Sequence, residues 1–417
     1  MRVRNTENCD YRFEPCARLM CAVVLLLLLS TIAVKPSMAQ TFTVLHKFST
    51  QAGGIEPPGG VILDTAGNIY GVTEYGGSFN LGAVFGLDAH GKETVLHNFE
   101  AADGLWPQAP LMLGSDGNLY GTTYEGGTAE GGKCIHGCGT VFKRDKAGKQ
   151  TILYVFNGGS DGANPDSVLV QDAAGNLYGT AYSGGDFAGY CVYFNGCGVI
   201  YKVTPSGKET ALYAFTDGAD GAFPGNGVVD SAGNLYGTIY RGGASDNGYI
   251  YRLDSKGKFT TLYSFTGGSD SGDPKGVFFI DAAGNLYGTT YGVNTAEYGI
   301  VFKLDAKRKL SVLYTFTGGS DGSYPGTLIM DKAGNLYGTT LGGGSGSGCY
   351  YQSCGTVFQL DSKGKKTILH SFSGSDGELP NGLVEDEDGN FYGTTFGGGG
   401  GGCANDGGCG TAFKLTP

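Results

Sequence analysis

From about residue 41 onward the chain reads as short apolar runs that alternate with polar positions and break at glycine-rich turns. A typical stretch is Val61-Ile62-Leu63-Asp64-Thr65-Ala66-Gly67-Asn68, an apolar run that ends in a turn; Ile69-Tyr70-Gly71-Val72-Thr73 follows with a period of two. Two such runs around an Asp/Gly/Asn turn predict a β-hairpin. Next come a glycine-rich loop, a strand of the type Val301-Phe302-Lys303-Leu304, an Asp-x-x-Gly-Lys turn, and a strand of the type Val312-Leu313-Tyr314-Thr315-Phe316. Each unit therefore holds four short antiparallel strands.

The unit recurs. Gly-Asn-(Leu/Ile/Phe)-Tyr-Gly starts at Gly67, Gly117, Gly175, Gly233, Gly284, Gly334 and Gly389, with spacings of 50, 58, 58, 51, 50 and 55 residues. Four strands in each of seven consecutive units predict an all-β protein, a seven-bladed β-propeller of four-stranded antiparallel blades. The first strand motif, Val44-Leu45-His46-Lys47-Phe48, is of the fourth-strand type, whereas the last, Ala412-Phe413-Lys414-Leu415, is of the third. The N-terminal strand is thus expected to complete the last blade and close the ring, which removes an exposed sheet edge. Composition agrees: 78 glycines in 417 residues disfavour helix, and 12% aromatic content is too high for a disordered chain.

The core Asp-x-Ala-Gly-Asn-Leu-Tyr-Gly-Thr-Thr and the link Phe-Thr-Gly-Gly-Ser-Asp-Gly-x-x-Pro resemble the GloVer (Gloeo-Verruco) repeats of secreted bacterial proteins, over nearly all of residues 40–417. The resemblance implies an exported or surface repeat protein of unassigned activity. Many members carry C-terminal anchoring segments, and this chain departs from them by ending at Pro417 without one. The double glycine after the second strand, as in Gly126-Gly127, also looks like a kelch repeat, but the third-strand tryptophan typical of kelch is absent.

Residues 1–39 read as a signal peptide. Arg2, Arg4, Arg12 and Arg18 precede the apolar run Leu19 to Val34, and Ser37-Met38-Ala39 offers small residues for cleavage before Gln40. Residues 40–417 would then be a single propeller domain in the periplasm or outside the cell, not inserted in a membrane after cleavage. Loss of the segment removes five Lys/Arg and three acids from totals of 28 and 39, which leaves a net charge of −13. An acidic chain with no basic block is a poor partner for nucleic acid or anionic lipid.

Within a repeat, a residue found at the equivalent place of most blades is explained by the fold, and one found once needs another reason. His46, His97 and His370 occupy the fourth-strand position held elsewhere by Tyr154, Tyr213, Tyr263 and Tyr314, so they read as scaffold. The links between blades carry Asp103, Asp161, Asp220, Asp270, Asp321 and Asp376, five of them in Asp-Gly. A carboxylate ring or calcium loops would use such residues, but the same residues are what a tight turn requires, and no loop has the ligand density of an EF-hand. No metal and no cofactor is expected.

Eight cysteines remain after residue 39, as Cys134/Cys138, Cys191/Cys197, Cys349/Cys354 and Cys403/Cys409. All lie between the second and third strands. The stretch from second-strand glycine to third-strand aromatic is 14 residues in three blades and 20 to 22 in the four that carry cysteines. In an exported protein this predicts four local disulfides, each worth at most about 2 kcal/mol; shared zinc sites are the alternative. In a propeller these loops and the blade-to-blade links emerge on one face, where residues found once also gather. Trp106, Lys133, His136, Tyr190, Tyr193, Phe194, Arg241, Tyr350 and Tyr351 are the candidate ligand-binding residues. Aromatics beside polar groups suit a glycan or a protein partner, with the protein a monomer. The expected function is non-catalytic binding on this face. The alternative is a glycan hydrolase or lyase, for which Glu74, Glu125, His136, Tyr190, Arg241 and Glu297 are candidate catalytic groups.

Overall fold

Six of the seven sheets keep their antiparallel strands in chain order, with the first strand of blade three split into Ala163–Pro165 and Val170–Gln171, and together the seven blades form a propeller. The computed structural model describes residues 40–49, 53–127, 133–187, 189–275, 279–292, 297–349, 354–400, 403 and 407–417; the expected signal peptide lies outside them. Blade four shows the pattern: Ala222–Val229, Leu235–Arg241, Tyr249–Leu253 and Phe259–Ser264 from first strand to fourth. Among the described residues the helical elements are two short 3-10 turns, Gly189–Phe194 and Gly319–Asp321. The strand Thr41–Lys47 pairs antiparallel with Thr411–Thr416, so one sheet contains both ends of the described chain.

Local chemistry explains the repeated turn. Asp64 accepts hydrogen bonds from the backbone N–H groups of Ala66 and Asn68 through Oδ1, and from Asn68 Nδ2 and the Tyr70 hydroxyl through Oδ2. Asp172, Asp230, Asp281 and Asp331 repeat all four bonds. The first hairpin thus carries its own clasp; in blade two, where Gly114 stands in place of that aspartate, Asp116 accepts instead from the Asn118 N–H, Asn118 Nδ2 and the Tyr120 hydroxyl. The link aspartates are committed in the same way: Asp161, Asp220, Asp270 and Asp321 accept from Tyr154, Tyr213, Tyr263 and Tyr314, while Asp103 and Asp376 bond His97 and His370.

Blades join through two contacts, each repeated seven times. A buried fourth-strand phenylalanine meets the third-strand aromatic of the next blade edge to face: Phe48 with Phe85, Phe99 with Phe142, Phe156 with Tyr201, Phe215 with Tyr251, Phe265 with Phe302, Phe316 with Phe358, and Phe372 with Phe413. Ring centroids are 4.9–6.4 Å apart, the range in which such pairs attract. The second contact seats a link proline on a glycine of the preceding blade, as with Pro107 on Gly82 and Pro57 on Gly410. The junction between the sheet holding both chain ends and blade one is therefore built like the other six.

Two of the seven third-strand aromatics are tyrosines, and the hydroxyls of Tyr201 and Tyr251 are buried with no hydrogen-bond partner among the described residues. A buried hydroxyl without a partner costs free energy that its five phenylalanine equivalents avoid. Tyr201→Phe is expected to raise the unfolding free energy by about 1 kcal/mol, read as a higher thermal midpoint. A lower midpoint would show that the hydroxyl has a partner.

Candidate functional site

The links and the second-to-third-strand loops leave the blades at the same end, so the mouth of the propeller on that side is made from seven copies of each. At every junction the residue before the link proline lies in the left-handed region: Glu56, Trp106, Asn164, Phe223, Asp273, Tyr324 and Leu379 have φ between 53° and 62°. This conformation is disfavoured for residues other than glycine, and the following proline disfavours it further. What imposes it is a hydrogen bond from that residue's N–H to a carbonyl of the preceding blade. The acceptors are Cys409, Leu81, Cys138, Cys197, Asn247, Tyr298 and Cys354, at 2.8–3.2 Å. The next residue is always the glycine under the proline.

Four of those acceptors are the second cysteine of a disulfide. Cys134–Cys138, Cys191–Cys197, Cys349–Cys354 and Cys403–Cys409 are all formed, as expected from the sequence, with Cα separations of 4.9–5.5 Å. Each disulfide thus pins the carbonyl that holds the strained link residue of the next blade. The backbone of this device is constant and its seven side chains all differ.

The expected site residues fall into two groups. In the first, around blades one and two, Trp106 lies 6.1 Å from the rings of both Tyr75 and His136, His136 Nδ1 bonds Glu125 at 3.1 Å, and Gln108 donates to Glu74 at 3.0 Å. Burial raises the pKa of Glu74, and burial followed by the charge of Glu74 raises that of Glu56. In the second group, around blades three and four, the Arg241 guanidinium lies 4.1 Å over the Tyr190 ring and also bonds Asp246. Tyr190 packs on Phe194, Phe194 on Phe223, and Phe223 stacks on Tyr182 at 4.8 Å. Tyr193, 80% exposed, stands at the outer edge. Lys133 caps the ring of Phe187 at 3.9 Å, and Glu297 accepts from Ser271 apart from both groups. Tyr350 and Tyr351 lie outside the described residues.

A third group was not foreseen. A cavity of about 350 Å³ in the channel is lined by residues of all seven blades, among them Gln108, Asp166, Asn226, Lys275, Thr327 and Asn381. Beside it a pocket of about 240 Å³ opens between Asp166, Tyr182, Phe223, Asn226, Tyr240 and Lys275. Asp166 lines both cavities, and burial pushes its pKa up to about 7 against the pull of Lys275. Lys275 is open to channel water, yet the enclosing protein lowers its pKa against the charges of Asp273 and Asp166. Its Nζ sits 4.2 Å from the Tyr240 ring and 5.7 Å from Tyr291. The missed signal was present in the sequence. The positions on either side of the link proline differ between nearly all blades, and two of them, Asp166 and Lys275, place charges there.

Among the described residues there is no cluster of three or more His, Cys, Asp or Glu side chains that could hold a metal ion, and no helix is long and apolar enough to cross a membrane. Four disulfides accord with an oxidising compartment.

The profile of the Gloeobacter/Verrucomicrobia repeat matches residues 31–194 and 136–351, more than half of the chain. No curated protein matches the sequence. Among solved structures, the extracellular domain of one hybrid two-component system from B. thetaiotaomicron is 11% identical with a TM-score of 0.56, over 90% of this chain and 39% of that one. A second such domain from the same organism is 14% identical with a TM-score of 0.55, over 91% of this chain and 41% of that one. This chain therefore spans about two fifths of the length of those proteins, and the likeness is one of fold.

Proposed function

Because the chain belongs to the Gloeobacter/Verrucomicrobia repeat family, whose repeat accounts for the constant blade, we propose that its function lies in what differs between blades. It is an exported, non-catalytic binding propeller that holds a glycan on the face bearing the disulfides. The observation that carries this reading is the set of seven link residues, all at φ between 53° and 62° and all different. Holding a non-glycine residue there costs on the order of 1 kcal/mol per copy, a cost that presenting varied side chains around one mouth would explain. The aromatic groups at Tyr75/Trp106 and Tyr182/Phe223/Phe194/Tyr190 supply ring faces for sugars beside polar partners for their hydroxyls. Loops stiffened by disulfides lose little entropy on contact.

A glycan array on residues 40–417 tests the reading. Binding is expected to weaken about tenfold in Trp106→Ala and in Tyr190→Ala, roughly the contribution of one stacked aromatic. A protein that ignores all glycans but retains a protein partner from its own surroundings would overturn the ligand class.

One observation favours the second reading, a glycoside hydrolase. Burial raises the pKa of both Glu56 and Glu74, and the charge of Glu74 raises that of Glu56 further; glycoside cleavage uses a pair of carboxyl groups, one of them an acid with a raised pKa. New reducing ends from any bound glycan, abolished in Glu74→Gln, would establish it.

A further inference from the structure

We propose that the pocket between blades three, four and five receives a uronate unit of the bound glycan, with the sugar carboxylate on Lys275 and its hydroxyls on Asp166. The proposal deepens the glycan-binding reading and rests on it.

Asp166 and Lys275 occupy the same place in their blades, directly after the link proline; the other five blades have Pro58, Gln108, Gly225, Gly326 and Asn381 there. The repeat therefore does not demand a charge at this position, and the fold is served equally well by glycine. Both charges line the 240 Å³ pocket and the adjoining channel cavity. They feel each other's field, yet they form no ion pair with one another, and Lys275 Nζ rests over the Tyr240 and Tyr291 rings instead. Opposite charges held apart on a partly enclosed wall compensate each other only in part. Opposite charges that face one gap without closing it are satisfied together by a ligand with an anion at one end and hydroxyl donors at the other.

Shape and charge narrow the class. The pocket is small against the roughly 300–1,000 Å³ of drug-sized sites, and stacked Tyr182 and Phe223 with Tyr240 flank it, which suits one sugar ring. A single lysine with Asp166 and Asp273 nearby offers a monoanion one favourable contact, while a phosphate or sulfate cluster would meet those carboxylates with more charge than one lysine offsets. A planar, singly charged carboxylate on a sugar meets both limits.

Calorimetry on the protein exported from its full-length chain tests the assignment. The probes are galacturonate, glucuronate and mannuronate oligosaccharides, each paired with its methyl ester, together with the free uronic acids. The ester keeps the ring and hydroxyls and removes only the charge. At least one acid is expected to bind tenfold or more tighter than its ester. Lys275→Met should erase that difference, Asp166→Asn should weaken acid and ester alike, and Trp106→Ala should leave the acid-to-ester ratio unchanged. Oligosaccharide binding without binding of the free acids would assign the site to a unit within a chain; equal binding would assign it to the monomer. Acid and ester binding with equal affinity, or a preference that survives Lys275→Met, would overturn the proposal while glycan binding stands. Failure of every uronate, ester and neutral glycan to bind would overturn both.

Discussion

Gly355→Ala is expected to lower the unfolding free energy by roughly 3–5 kcal/mol, one of the two largest single effects in the molecule. A Cβ at Gly355 would lie 2.4 Å from Pro380 Cδ and 2.4 Å from the Thr340 carbonyl oxygen, at φ +90°. Neither neighbour can yield cheaply. The proline seats blade seven on blade six, and the carbonyl belongs to the central strands of blade six. Gly334→Ala is the control. Its φ is +83° but nothing lies within 4 Å of its Cβ, so only the backbone preference is lost, about 1 kcal/mol. Urea denaturation of the two variants separates the terms. Equal losses would show that the junction is slack and that the proline does not set the spacing of the blades.

Lys366→Met is expected to cost roughly 3 kcal/mol at neutral pH, close to what removal of one partner from a buried ion pair costs. Lys366 Nζ lies 2.8 Å from Asp321 Oδ1 and also donates to the Asp321 carbonyl, over the rings of Phe316, Tyr314 and Phe358. The two partners shift in ways that disagree about the pair. Burial lowers the lysine pKa despite Asp321, whereas the aspartate, although its own burial opposes this, is held below its usual value by Lys366, Tyr314 and the Thr317 N–H. With the lysine side chain 5% exposed and the aspartate 22%, the lysine carries the greater desolvation cost. The intact pair is then worth little in net terms, while breaking it from the lysine side is costly. Because the folded pKa of Asp321 is depressed, its contribution is present above the unfolded value near 4 and fades as pH falls through the folded value. The penalty of Lys366→Met should therefore shrink in acid, and adding Asp321→Asn should recover part of it at pH 7. A penalty that does not change with pH would assign the loss to packing against the three rings.

How much of this was legible depends on the distance over which each feature is specified. The turn clasp at Asp64 is closed by Asn68 and Tyr70, within six residues, so it repeats as a motif and announces seven blades. The cysteine pairs are equally local, separated by four to six positions. Trp106, Tyr190, Phe194 and Arg241 stood out because the repeat predicts something else there, and the structure puts the last three in one aromatic patch. Asp166 and Lys275 escaped notice for a different reason. They come from nonadjacent blades, and only the curvature of the ring brings them to one pocket. The left-handed link residues were hidden too, since no residue type marks the position; its conformation is imposed by a carbonyl from the neighbouring blade.

The sheet that contains both ends of the described chain also orders events in time. Thr41–Lys47 pairs with Thr411–Thr416, so the earliest strand to emerge must wait for a partner made roughly 370 residues later. Until then the other six blades can assemble from neighbours in sequence, but the last blade lacks its fourth strand and presents an unmatched edge at Thr411–Thr416, as does the lone strand Thr41–Lys47. Folding should accordingly end in one slow, concerted step that engages the two termini. Once made, that step resists reversal, because peeling off either terminus must break a sheet anchored at the other.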